Sequence, residues 1–456
     1  MSRLSTDPPK PHTTVDNVEA QELTYDVAVI GGGASGAYAA ARLQQEGIKV
    51  VVIEQEDRLG GHVNTYHDPT SNGTYDHGVQ VFSNLSVVTD FFGHYDIPLV
   101  AAGALGGSSQ TVDFASGTVI PTVQNVTALA QGILGYGAEV AKYPTINTKW
   151  DIPKPVPEDF TLQLGDFITN YGLQSWAYIA YTYQQGLGNI LAQSTLYVLR
   201  YFDAQQVQDI AGQAFLVNGL QNNQALYDRV QAELGDNVLL NTKPTKIERK
   251  DDSVKITAKC SHNKYQITAK KLLVSTPPTA EKLSFPDLSP DEKAIFGQFN
   301  GSYYWNSIVL NSGLPGNTTY TNIAPENPLA IPAVPGLYTI NATPFPGVTA
   351  PLNGSDRDLP ETQVKAEIVA AIKRIRKGLN ITVDTEPVFA EFNAHSPFHL
   401  TVSNDAIKSG FYDDLEALQG QKNTWYTGGT WNKPATSALW NFTEYEILPK
   451  LLAELK

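Results

Sequence analysis

Six residues, Gly31-Gly32-Gly33-Ala34-Ser35-Gly36, place glycines at the three positions of a G-x-G-x-x-G string. Gly31 allows a tight turn, Gly33 lets a pyrophosphate approach the backbone, and Gly36 lets helix and strand pack closely. Ala34 and Ser35 would open the helix, whose free N–H groups and partial positive charge face the phosphates. Glu54 follows at the usual distance, placed to accept hydrogen bonds from ribose hydroxyls, with Gln55 beside it. Just beyond it, Arg58-Leu59-Gly60-Gly61-His62 offers a cation, two more glycines for close backbone approach, and a titratable ring. This is dinucleotide-binding chemistry. Further on, His395 and His399 are candidate general bases, with His395 preferred. Tyr304, Trp305, Tyr426 and Trp431 are candidate walls of an aromatic slot.

The flanking pattern supplies the elements that hold these residues. Tyr25 to Ile30 is a short apolar run bounded by glycines, as in a buried parallel strand. Ala34 to Glu46 carries small residues on one side and stops at Gly47, and Ile48 to Ile53 is a second buried strand. Together they form a right-handed βαβ unit. A second α/β stretch runs from a helix at Asn223–Leu234 through an antiparallel pair, Val254–Ala258 and Tyr265–Thr268, to a buried strand at Leu272–Val274. A last βα unit spans Thr424 to about Leu452.

These motifs resemble the flavin-dependent amine oxidase superfamily. Arg58 to His62 matches its R-x-G-G-R segment, with His62 in place of the second arginine. The resemblance implies FAD as the cofactor and leaves His62 open as a neutral pyrophosphate donor, a point of covalent flavin attachment, or a packing residue. It also implies that Gly78, Val79 and Gln80 pass close to the flavin ring and that Thr276 begins a T-x-P turn beside it. Gly429 and Thr430 would form the final flavin turn, and Ser437, Ala438 and Leu439 would start a helix facing the pyrimidine carbonyl. Where the family usually grips adenine through a valine backbone, Pro244 stands without an N–H, so Thr245 is expected to take that role. The strand Tyr303–Leu310, which matches the family's lysine-bearing strand, has no lysine, which argues against the usual amine-oxidase arrangement. The segments Gly60–Tyr66, His395–Ser403 and Leu439–Lys450 are similar to the fungal β-cyclopiazonate dehydrogenase group.

The implied architecture is an α/β, Rossmann-like FAD-binding domain of the glutathione-reductase and amine-oxidase type, interleaved with an α+β substrate domain. Residues 1–22 read as a disordered tail; residues 23–99, 206–282 and 405–456 form the FAD-binding domain; residues 100–205 and 283–404 form the substrate domain.

The implied activity is an FAD-dependent oxidase or dehydrogenase. It would remove a hydride from a hydrophobic, aromatic or alkaloid-like metabolite, with oxidative cyclisation one form of the reaction and O2 as reoxidant. A redox-neutral double-bond isomerase and an amine oxidase are the alternatives, and a non-catalytic flavin-binding protein ranks last.

A net charge of -14 over 456 residues argues against nucleic acid as partner. No apolar run is long enough to span a membrane. The lone Cys260 excludes an intrachain disulfide and a cysteine-built metal site. Nine Asn-x-Ser/Thr sequons, at Asn72, Asn84, Asn125, Asn300, Asn317, Asn341, Asn353, Asn380 and Asn441, suggest a secreted or secretory-pathway glycoprotein whose signal peptide is absent from the sequence. Nothing in the pattern assigns an oligomeric state.

Overall fold

The first strand, Gln21–Ile30, is parallel to Val50–Ile53 on one side and to Lys264–Val274 on the other, with Val27 opposite Val50 and Ala28 opposite Leu272. Its last four residues are fully buried, as a strand covered on both faces requires. The computed structural model describes residues 20–102, 108–121, 126–261, 263–279, 282–284 and 286–456. The first 19 residues of the tail expected over residues 1–22, and the sequon at Asn125, lie outside these. Gln21 and Glu22 were expected in that tail but already pair with Tyr265 and Gln266, so the strand starts four residues before Tyr25.

Lys264–Val274 is one continuous strand, although the sequence reads as two. Its first half alternates between buried and accessible residues against the antiparallel Val254–Lys259, and its last three residues are sealed against the parallel strand Thr424–Tyr426. One strand therefore carries two hydrophobic periods because its neighbours change along its length. The sheet is completed by Lys243–Arg249 on one edge and Val238–Leu239 on the other. Helix Ala34–Gln45 buries Ala37, Ala39, Ala40 and Ala41, whose small side chains permit a close approach to the sheet.

A second seven-stranded sheet contains, in order, Val388–His395, Tyr303–Leu310, Thr349–Ser355, Gly336–Ala342, Thr318–Asn322, Ser108–Asp113 and Thr118–Val119. Helix Glu361–Gly378 backs it, burying Val364, Ile368, Ala371, Ile372 and Ile375 at helical spacing. These meet Trp305, Val309 and Tyr320 in a separate core. The alternation of the Tyr303–Leu310 strand decides what each residue does. Trp305 and Val309 face that helix, while Tyr304 joins the main core and Ile308 packs with Tyr66 and Phe345 on the other side. Antiparallel pairing sets Tyr304 opposite His395 and Asn306 opposite Asn393, so these four share the face toward the nucleotide-binding sheet. Helices between residues 126 and 212 complete the second half, pinned by Tyr136 stacked on Trp176 at 3.8 Å. No helix among the described residues is long and apolar enough to cross a membrane.

Candidate FAD and substrate site

A cleft of about 750 Å3 runs between the two sheets. One end is built from backbone. Gly31, Gly33, Ala34, Ser35, Gly60 and Gly61 line it, together with Glu54, Gln55 and Arg58. Helix Ala34–Gln45 begins at Gly33 with no side-chain cap, so its first N–H groups stay free for an anion. A Cβ on Gly61 would sit 2.9 Å from Gly33 Cα, which shows how closely the two glycine turns approach. Glu54 is buried and accepts hydrogen bonds from Gly32 N at 2.5 Å and Glu56 N at 2.8 Å. Two buried hydroxyls at this end, Ser35 Oγ and Thr276 Oγ1, have no protein partner. Orphaned donors around an uncapped helix start are what a pyrophosphate would satisfy. The residues present thus fit FAD.

Gly36 does not line the cleft; a Cβ there would lie 2.0 Å from Gly31 O, so it serves the close helix–strand packing expected of the third glycine. Thr245 is turned away from the cleft. It sits at the irregularity between Pro244 and Lys246, and its hydroxyl donates to Thr257 O, while Thr242, Lys243 and Pro244 face the cleft. Val79, Thr276, Gly429, Thr430 and Leu439 line it as expected of cofactor contacts. Gly78 instead packs tightly on His62 O and Asn64 N. The final helix begins at Thr436, which lines the cleft. Behind it, Ser437 Oγ accepts a hydrogen bond from Ser83 N and Ala438 O accepts one from Asn432 Nδ2.

The other end is built from side chains. Residues Phe392 to Phe398 and Leu400 line it opposite the glycine turns. The His62 and His395 rings stack at 3.9 Å, 6° from parallel, and Phe398 stacks on Tyr304 at 4.9 Å. His62 is enclosed by the cleft walls yet presents surface to the interior. That enclosure, with the charges of Lys282 and Arg58, pushes its pKa down to about 4, and a phosphate alongside would pull it back up. Burial also drives the His395 pKa well below its ordinary value.

Of the expected catalytic residues, His395 alone lines the cleft. Tyr304 stands one layer behind Phe398, its hydroxyl bonded to Gln185 Oε1 at 3.0 Å. Trp305 faces the opposite side of its strand and is core. Tyr426 donates to Glu292 Oε1 at 2.6 Å inside a buried network in which Glu292 also holds Arg249, so it is an anchor of the nucleotide-binding half. His399 is sealed against Tyr201, with its Nδ1 unpartnered. Among the described residues, no three His, Cys, Asp or Glu side chains gather as a metal site would require.

Asn64 and Phe398 join the cleft without any signal of their own in the sequence. Asn64 lies two residues after His62, and Phe398 between two histidines, but neither residue type signals a site by itself.

A second cavity of about 850 Å3 lies alongside, lined by Val81, Val217, Pro344 and Phe345 with Tyr75, Asp76 and Gln80. Val79 faces the first cavity and Gln80 the second, so the segment between them is the shared wall.

Comparison with known proteins agrees with this geometry. Residues 34–308 match the family described as flavin containing amine oxidoreductase. An FAD-dependent oxidoreductase of Cochliobolus heterostrophus is 36% identical, the match covering 95% of this chain and 92% of that protein. A β-cyclopiazonate dehydrogenase of Aspergillus flavus is 29% identical, with coverage of 94% and 93%. Among solved structures, the fold is similar to a CLA-producing fatty acid isomerase from P. acnes (TM-score 0.76, 18% identity, 92% of this chain and 97% of that one). It is also similar to putrescine oxidase (TM-score 0.66, 14% identity, 94% and 100%). The chain belongs to the flavin-containing amine oxidoreductase family and is an FAD-dependent oxidoreductase.

Proposed function

We propose that this enzyme oxidises a hydrophobic, aromatic or alkaloid-like metabolite by removing a hydride, with dioxygen as the final acceptor. The observation that carries the reading is the composition of one cleft: glycine turns for a dinucleotide at one end, and His62, His395 and Phe398 facing them at the other. Bound FAD supplies a hydride acceptor that dioxygen can regenerate. The chain's contribution is to hold a flat substrate against that acceptor and exclude water. Phe398, supported from behind by Tyr304, offers the flat surface, and the apolar cavity beyond Gln80 offers room for the rest of a bulky molecule. The relative named a β-cyclopiazonate dehydrogenase supports dehydrogenation of such a metabolite, with oxidative ring closure as one form of the reaction.

The test is anaerobic mixing of the holoenzyme with a panel of indole and polyketide metabolites. The reading expects stoichiometric bleaching of the flavin and recovery of colour on admitting air. Conversion of substrate with the flavin oxidised at the end would replace it with a redox-neutral isomerisation.

We also propose a secretory-pathway location. Asn72, Asn84, Asn300, Asn317 and Asn380 are exposed, whereas Asn353 is buried within a strand. Peptide mapping of native material should find glycan on members of the exposed set and none on Asn353; an unmodified exposed set would overturn the proposal.

A further inference from the structure

We propose that Asn64 and Asn306 hold His395 as the neutral Nδ1–H tautomer, making it a fixed hydrogen-bond donor to an acceptor atom in the cleft. Asn64 is the positioning residue. The assignment rests on the reading of this cleft as the redox site only for its purpose, not for its chemistry.

Two neighbours of Asn64 have fixed hydrogen-bonding roles. A guanidinium has only donors and a backbone carbonyl only accepts. Arg58 Nη2 lies 3.1 Å from one end of the Asn64 amide, and His62 O lies 3.3 Å from the other. The amide oxygen therefore faces Arg58 and the amide nitrogen faces His62 O. That same nitrogen is 3.0 Å from His395 Nε2.

Asn306 is oriented through Asn393, and its Nδ2 lies 3.3 Å from the Asn64 amide nitrogen, so the two NH2 groups sit side by side facing the ring. Asn306 Oδ1 accepts from Asn393 Nδ2 at 3.1 Å, which leaves Asn306 Nδ2 3.2 Å from the same His395 Nε2. Two amide N–H groups thus converge on one ring nitrogen, and a nitrogen so addressed carries a lone pair, not a proton. A neutral imidazole has one proton, which must be on Nδ1.

His395 Nδ1 has no protein hydrogen-bond partner among the described residues. Yet it is absent from the sealed, unsatisfied atoms, which include Nδ1 of both His77 and His399. With the ring lining the cleft, Nδ1–H points to what the cleft binds.

The surroundings keep the ring neutral. His62 stacks on it, Tyr304 and Phe398 flank it, and the Arg58 charge opposes a second positive charge. The nearby carboxylate, Glu391, is engaged with His77 Nε2 at 2.8 Å. A base would need an accepting nitrogen in the cleft. Here the accepting nitrogen is occupied and the donor is presented, which suits a carbonyl or imine acceptor whose electron density rises during reaction.

The direct test is a long-range proton–nitrogen NMR correlation on holoenzyme labelled with 15N-histidine, with His395 assigned by the signal lost in His395→Gln. The expected result is a protonated Nδ1 and an unprotonated Nε2, unchanged from pH 5 to 9 on the order expected of a strongly depressed histidine. A proton on Nε2, or a ring that titrates in that window, overturns the proposal without any variant.

Asn64→Asp replaces the donating amide with an acceptor. The proton should move to Nε2 and a titration should enter the window, since an adjacent carboxylate raises a histidine pKa. Asn64→Gln should restore part of the wild-type signature, whereas a merely structural role for Asn64 would leave the tautomer untouched by Asp. A changed flavin midpoint potential in His395→Gln places the acceptor on the flavin, and an unchanged potential with reduced kcat places it on the substrate. No change in potential, kcat or KM overturns the donor role. The NMR result does not depend on turnover, so a confirmed tautomer in an enzyme that oxidises nothing would count against the proposed function alone.

Discussion

The two ends of the cleft hold a ligand by different means. At the phosphate end the surface on offer is mainly backbone N–H, with the Ser35 and Thr276 hydroxyls beside it, because two glycine turns and a helix start pass so close that bulky side chains cannot come between them. At the far end the contacts come from side chains of three distant segments, around residues 62, 306 and 395. The first arrangement tolerates almost no change of shape and is indifferent to the detail of the chemistry. The second tolerates changes of shape, and its chemistry depends on individual nitrogen atoms. A superfamily can therefore keep one cofactor while its members diverge in reaction.

The sharpest way to break that contrast is Gly36→Ala. The added methyl meets Gly31 O, a backbone atom that cannot swing aside. Overpacking here should cost about 3 kcal/mol, or roughly 100-fold in FAD affinity. Fluorescence titration of the apoprotein measures it, and wild-type affinity would refute the steric account.

Glu54→Gln probes the same end by chemistry and not shape. It removes a charged acceptor from Gly32 N and Glu56 N, worth about 1.5–3 kcal/mol. FAD binding should weaken by roughly 10- to 100-fold while the fold persists by circular dichroism.

The histidine end should show itself in acid. Burial holds His399 at about 3, below the ordinary value of 6.5. A histidine whose folded pKa is depressed binds fewer protons folded than unfolded, so its contribution is intact above pH 6.5 and is lost as pH falls toward about 3. The apoprotein Tm should therefore fall across that range, and His399→Gln should flatten the fall. An identical pH profile in the variant would show that the ring is not buried neutral.

The smallest effect is expected where the sequence suggested chemistry and the packing shows an anchor. Tyr426→Phe loses the bond to Glu292, which Arg249 still holds, so stability should drop by about 1 kcal/mol. Turnover of any substrate found should change by less than twofold. A large fall in kcat with Tm preserved would return Tyr426 to the active site.

Much of the phosphate end was legible in the chain itself. Gly31 to Gly36, Glu54 and Arg58 to Gly61 lie within about one βαβ unit, and a turn, a helix start and a strand end are properties of consecutive residues. The far end was not. Tyr304 and Trp305 are adjacent and equally aromatic, but the pleat turns one toward the cleft wall and the other into the core beneath a helix. Thr245 fell at a strand irregularity that moved it off the cofactor side. Asn64 and Asn306 are ordinary asparagines until strand register brings them to one ring nitrogen.

The sequence by itself determined the family, the cofactor and the local geometry that receives its phosphates, because those are written in short-range backbone preferences. Tertiary structure alone decided which side chains meet at the reacting end, because partners more than 200 residues apart are chosen by sheet pairing and burial.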